Sequence, residues 1–187
     1  MGMQRGYFGI GVEGITKPMN AGSLFRSAHA FGADFVFAIA PAVDMRAVNR
    51  TDTSDTAKHR PFYEFASVAE LKLPRFCRLV GVELLDEAIE LPSFRHPEHA
   101  AYVLGPERDS LSPELVARCD FIVRIPTSFC VNLGIAGAIV MYDRLITRGR
   151  FPRRPPKSGG PVEVPGAHIH GRPALRRKGG GGGGQMS

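Results

Sequence analysis

Two sets of residues in this 187-residue chain could do chemistry. The first is a glycine run. Gly9, Gly11 and Gly14 in GIGVEG have the G-x-G-x-x-G spacing of a dinucleotide-binding turn. Such a turn needs a full strand before it and a helix starting inside it. Only Met1 to Phe8 precede Gly9, and Lys17, lying before Pro18, is pushed towards extended geometry, so no helix is predicted to begin there. Gly9 and Gly11 fit better inside a strand over 7–12 that ends in a loop at Glu13 and Gly14. The second set lies in three separated loops, PMNAGSLFR (18–26), LGPERDSLS (104–112) and IPTSFCVNLG (125–134). Each follows an apolar strand and leads into a helix. Ligands of parallel sheets collect at loops after the carboxyl ends of strands, so these three predict one composite site drawn from distant segments.

The elements that would position those loops alternate along the chain. After the 7–12 strand, Leu24, Phe25, Ala28 and Phe31 form an apolar face at helical spacing, with Asn20 expected as N-cap and Gly32 as C-terminal glycine. Strands are predicted at 34–41, 77–84, 99–105 and 121–126. DFVFAIAP has the continuous apolar character of a strand buried on both faces. A short helix is expected over SVAELKLP (67–74), and a polar loop over 44–60. Ser112 and Pro113 read as N-cap and first helical residue of another helix. The last helix, about Leu133 to Arg148, is apolar nearly all round in its first half, which predicts burial on several sides. The pattern is that of an α/β domain with a mainly parallel sheet and flanking helices.

Composition narrows the function classes. The formal net charge is +6 and the pI about 9.6, which suits a polyanionic partner. Three scattered cysteines without C-x-x-C spacing argue for reduced thiols in the cytoplasm and against a disulfide framework or zinc site. No signal peptide is evident, and the longest apolar stretch is too short and interrupted to span a bilayer. Basic residues gather from Arg144 to Lys178, and Glu163 is the only acid after Asp143. Residues 151–187 are rich in proline and glycine and lack apolar periodicity. They are expected to form a disordered basic tail behind a domain over 1–150.

In order and spacing the three loops resemble the motifs of the SpoU/TrmH branch of the SPOUT RNA methyltransferases. Pro18, Asn20, Gly22 and Arg26 match the first motif, Gly105 and Glu107 the second, and Ile125, Pro126, Cys130 and Asn132 the third. TSDTAKH (53–59) resembles the polar loop between the first two. The resemblance covers residues 7 to about 150. It implies a C-terminal trefoil knot in the α/β fold, S-adenosylmethionine as cofactor, a homodimer, no metal, and methyl transfer to a ribose 2′-hydroxyl of RNA. Transfer RNA is the expected substrate, because few residues precede the first strand and leave no room for the N-terminal RNA-binding domain of many ribosomal-RNA enzymes. Ribosomal RNA is the alternative, as is a catalytically weak RNA-binding protein that keeps the fold.

Within that resemblance Arg26, Asn20, Glu107 and Asn132 are the expected catalytic residues. Leu104, Gly105, Glu107, Ile125, Pro126, Asn132 and Leu133 are expected at the cofactor, and Arg26 and Cys130 at the substrate. A guanidinium is a poor proton acceptor at neutral pH, so Arg26 is read as stabilising the developing alkoxide. Glu107 is read as a brace for Asn20, Arg26 or the loop backbone, and the Asn132 amide as a link between cofactor loop and substrate. Two positions depart from the family pattern. Cys130 stands where a serine is usual, and Ser110 where a glycine is usual. If that glycine needs positive φ, Ser110 strains the loop.

Overall fold

The computed structural model describes residues 6–45, 61–106, 109–149, 151, 154–155 and 158–160. The chain divides into two units, Met1–Phe151 and Pro152–Ser187, and the 53–59 loop and nearly all of the basic tail lie outside the described residues.

The first unit is built on seven parallel strands: β1 (Phe8–Glu13), β2 (Phe35–Ile39), β3 (Phe62–Phe65), β4 (Arg78–Val82), β5 (Ile89–Glu90), β6 (Ala100–Leu104) and β7 (Phe121–Arg124). Their order across the sheet is β3-β2-β1-β6-β4-β7-β5. The chain builds outward from β1 through β2 to β3, crosses to β4, and later inserts β6 between β1 and β4. Among the described residues three α-helices accompany the sheet: α1 (Pro18–Phe31), α2 (Pro113–Arg118) and α3 (Leu133–Arg148).

Strand alternation separates two cores. Phe8, Ile10 and Val12 of β1 join Leu24, Phe25 and Ala28 of α1 and Val140 and Met141 of α3 on one face. The other face gathers Phe35, Phe37, Leu79, Val103, Leu111 and Leu115. Gly9 and Gly11 pair in register with Phe35 and Phe37. A Cβ on either glycine would stand 2.2 or 2.5 Å from the neighbouring ring. These glycines are therefore strand positions vacated for phenyl rings, as the sequence indicates. On the first face, a Cβ on Gly137 would meet Leu24 Cδ1 at 2.2 Å and one on Gly134 would meet Ser23 Oγ at 2.7 Å. Small residues thus bring α3 against α1.

Four expectations need correction. α1 begins at Pro18, because an extended Lys17 (φ −117°, ψ 113°) is itself the N-cap geometry and proline, lacking an N–H, suits the first helical position. Asn20 is consequently inside the first turn, its amide bonded to the Lys17 carbonyl, and is not the N-cap. No helix forms over 67–74. One turn closes there, and the guanidinium of Arg118 takes the carbonyls of Val68 and Leu71. The sequence reading also lacks β3 and β5. Gly32 does cap α1 in the left-handed region (φ 79°), and Ser112 caps α2 by accepting from the Leu115 amide at 3.2 Å.

At the end of the sheet where β1 and β6 begin, Arg144 of α3 is fully buried. It donates to the carbonyls of Pro97 (2.6 Å), Glu98 (2.9 Å) and Tyr7 (3.3 Å) and to the Tyr102 hydroxyl (3.2 Å). Tyr102 lies 2.6 Å from His96 Nδ1, and His96 Nε2 lies 2.8 Å from Asp143. A neutral imidazole fits these contacts, with Nδ1 accepting the phenol hydrogen and Nε2–H donating to Asp143. Burial pushes the His96 pKa down, against the pull of Asp143 and with the help of Arg144 and Arg148. Arg144, the first of the basic residues gathered over 144–178 in the sequence, is a core residue at the sheet's base.

Candidate functional site

At the opposite, carboxyl ends of the strands, the loops after β1, β4, β6 and β7 surround a cleft of about 610 Å³. That volume falls within the range of small-molecule sites. Apolar side chains from four elements, Val82, Leu104, Ile125 and Leu133, form part of its wall, and Lys17, Asn20, Glu83 and Asp109 supply polar groups.

The three motif loops meet here. Asn132 caps α3, its Oδ1 accepting from the Gly134 amide at 2.9 Å, and its Nδ2 donates to Asn20 Oδ1 at 3.2 Å. One side chain thus closes a helix end and ties together segments 112 residues apart in sequence. Leu104, Gly105, Ile125, Cys130, Asn132 and Leu133 all line the cleft alongside Asn20. Pro126 is exposed and is not among the lining residues. Arg26 is exposed on α1, six residues beyond Asn20, and also lies outside the lining. At 100° per residue its side chain leaves the helix about 120° from that of Asn20. Glu107 lies outside the described residues.

The loop after β6 folds tightly back on itself. A Cβ on Gly105 would sit 3.0 Å from the Leu111 amide nitrogen and 3.2 Å from the Ser110 carbonyl carbon. Its requirement is therefore close backbone approach. The strain considered at Ser110 does not arise, since Ala40 and Phe76 are the only described non-glycine residues with positive φ. After β7, Thr127 Oγ1 donates to the Phe129 carbonyl at 2.9 Å and stiffens the loop that presents Cys130.

Two residues of the site were not singled out from sequence. Glu13 accepts from the amide (2.8 Å) and hydroxyl (2.6 Å) of Ser112, and Glu83 accepts from the amides of Leu84 (2.9 Å) and Leu111 (2.8 Å). Their signal was a carboxylate ending an otherwise apolar strand in FGIGVE and RLVGVE. Among the described residues no cluster of three or more His, Cys, Asp or Glu could hold a metal ion, and no helix is long and apolar enough to cross a membrane.

Residues 8–142 match the SpoU rRNA Methylase family. The tRNA (guanosine(18)-2'-O)-methyltransferase of Escherichia coli strain K12 is 25% identical over 140 residues, covering 71% of this chain and 60% of its own. The 23S rRNA (guanosine-2'-O-)-methyltransferase RlmB of Coxiella burnetii is 30% identical over 142 residues, covering 71% of this chain and 55% of its own. The chain thus spans little more than half the length of these curated relatives. Among solved structures, the SpoU methyltransferase AviRb of Streptomyces viridochromogenes in complex with AdoMet superposes with a TM-score of 0.68 at 22% identity, over 78% of this chain and 62% of that one. With the family matched across most of its length and the three motif loops gathered at one cleft, the chain belongs to the SpoU rRNA Methylase family.

Proposed function

We propose that the chain is an S-adenosylmethionine-dependent RNA ribose 2′-O-methyltransferase that acts on tRNA in the cytoplasm as a homodimer. The observation that carries this reading is the Asn132–Asn20 bond in the lining of a cleft to which all three motif loops contribute. The fold likeness to a relative solved with AdoMet supports the cofactor, and the residues fit it. Apolar walls from Val82, Leu104, Ile125 and Leu133 suit an adenine ring, and Gly105, Asp109 and Ser110 supply polar groups. When bound, the cofactor supplies an electrophilic methyl group, so the protein's task is in-line placement with water excluded.

Asn132 and Asn20, joined to one another in the cleft lining, would hold the ribose, and Cys130 lines the same cleft. Arg26 orients the attacking oxygen and stabilises its growing negative charge, and the hydroxyl proton passes to phosphate or water. Glu107 braces this arrangement from the loop after β6. The reading includes a C-terminal trefoil knot, and a domain over 1–150 followed by a basic tail that adds RNA affinity.

A guanosine-18 tRNA enzyme and a 23S rRNA enzyme are both similar to this chain, over 140 and 142 residues, and support the RNA 2′-O-methylation common to them. The deciding assay transfers labelled methyl from S-adenosylmethionine to unmodified tRNA or to 23S rRNA fragments, and maps the 2′-O-methyl position. Label in tRNA alone is the expected result. Label in rRNA alone would move the assignment to the second substrate, and none in either would remove the enzyme reading.

A further inference from the structure

We propose that Glu13 and Glu83 are positioning residues that hold the loop after β6 in its cofactor-receiving shape. This rests on the reading that the cleft takes the methyl donor. β6 lies between β1 and β4 in the sheet. Glu13 is the last residue of β1, and Glu83 directly follows β4. The two carboxylates therefore flank the exit of β6 and grip the returning limb of its loop at consecutive amides. Glu83 takes Leu111, and Glu13 takes Ser112.

Between those anchor points and Leu104 the loop contributes Gly105, Pro106, Asp109 and Ser110 to the cleft wall. A loop of this length would sample many shapes, and closing its base removes most of them. The bonds are of the charge-assisted kind, about twice as strong as neutral ones. Glu13 is buried, and both of its oxygens are used by Ser112. The Ser112 hydroxyl donates to Glu13 while accepting from the Leu115 amide, so the same contact sets the start of α2. Glu83 is more exposed to the cleft it lines, and its second oxygen is occupied by the Leu84 amide.

Glutamine at either position keeps the volume but turns an NH2 towards one of two donors. The test uses the full chain with Glu13→Gln and Glu83→Gln. It compares calorimetric affinities for S-adenosylmethionine and S-adenosylhomocysteine, steady-state KM against kcat, and amide exchange at Leu111 and Ser112. Both ligands should weaken by about tenfold, and KM for the methyl donor should rise more than kcat falls. Exchange should quicken at 111 and 112 while the amides of β1 and β6 keep their protection. Faster loop exchange with unchanged affinities would overturn the proposal, as would a loss confined to S-adenosylmethionine, which would assign Glu83 to the sulfonium charge. A wild-type chain that bound neither ligand would sink the cofactor reading itself. Wild-type binding with unaffected variants would sink the positioning role alone.

Discussion

Arg26 and Cys130, the two residues expected at the substrate, separate cleanly by experiment. Arg26 lies outside the cleft wall, so Arg26→Ala should leave S-adenosylmethionine affinity within about twofold while lowering kcat by about 100-fold or more, the usual loss for a charge-stabilising donor. Single-turnover methylation beside calorimetry reads both, and full retained activity would remove Arg26 from the mechanism. The three thiols differ in the other direction. Burial pushes Cys77 up to about 11 and Cys119 up to about 12, leaving almost no thiolate near neutrality, while Cys130 is exposed in the cleft. Iodoacetamide at pH 8 should therefore modify Cys130 first, as peptide mass spectrometry would show, and bound S-adenosylhomocysteine should slow it. Equal labelling with and without ligand would place the ligand away from the cleft.

At the scale of elements, the sequence was informative wherever a signal was long or chemically specific. The 133–148 helix and the Ser112–Pro113 start are legible because periodicity and capping chemistry span several residues. β3 is four residues with no clean alternation of burial and β5 is two, too short for any periodic pattern to register. SVAELKLP misleads because Val68 and Leu71 have helical spacing, yet a distant arginine takes the carbonyls that helix amides would need. Asn20 misleads differently, since a good capping residue lies next to a proline that starts the helix earlier. Glu13 and Glu83 escaped notice because their partners are backbone amides 99 and 28 positions away, which no local pattern encodes.

The buried base of the sheet carries its own prediction at this scale. Because burial lowers the His96 pKa in the fold, the unfolded chain takes the proton first as pH falls. The contribution of His96 is whole above its unfolded pKa of about 6.5 and is lost as pH drops through the folded value. Thermal melts from pH 8 to 5 should show Tm declining below about 6.5, and His96→Gln should be less stable at pH 8 and flatter across that window. A wild-type profile no steeper than that of His96→Gln would refute the neutral-imidazole network.

For the whole molecule, large apolar side chains on α1, α3 and the loop after β7 are among those left exposed in the described residues. Met19, Phe129, Ile135 and Tyr142 are 86%, 77%, 55% and 51% exposed. The sequence predicted burial of the last helix on several sides, and in the single chain Ile135 and Tyr142 of that helix remain exposed. A homodimer across this surface would complete that burial. Ile135→Glu combined with Tyr142→Glu should convert a dimer to a monomer in analytical ultracentrifugation with circular dichroism unchanged. A wild-type chain that sediments as a monomer at micromolar concentration would defeat the dimer.

The late arrival of β6 has a consequence for biogenesis. A ribosome delivers β1 and β4 well before Ala100 to Leu104, so the two strands that will flank the middle of the sheet wait with unsatisfied edges. Such edges invite intermolecular pairing. A nascent chain stalled ahead of β6 should thus be sticky and dependent on chaperones, and should lose that character once the central strand slots into place.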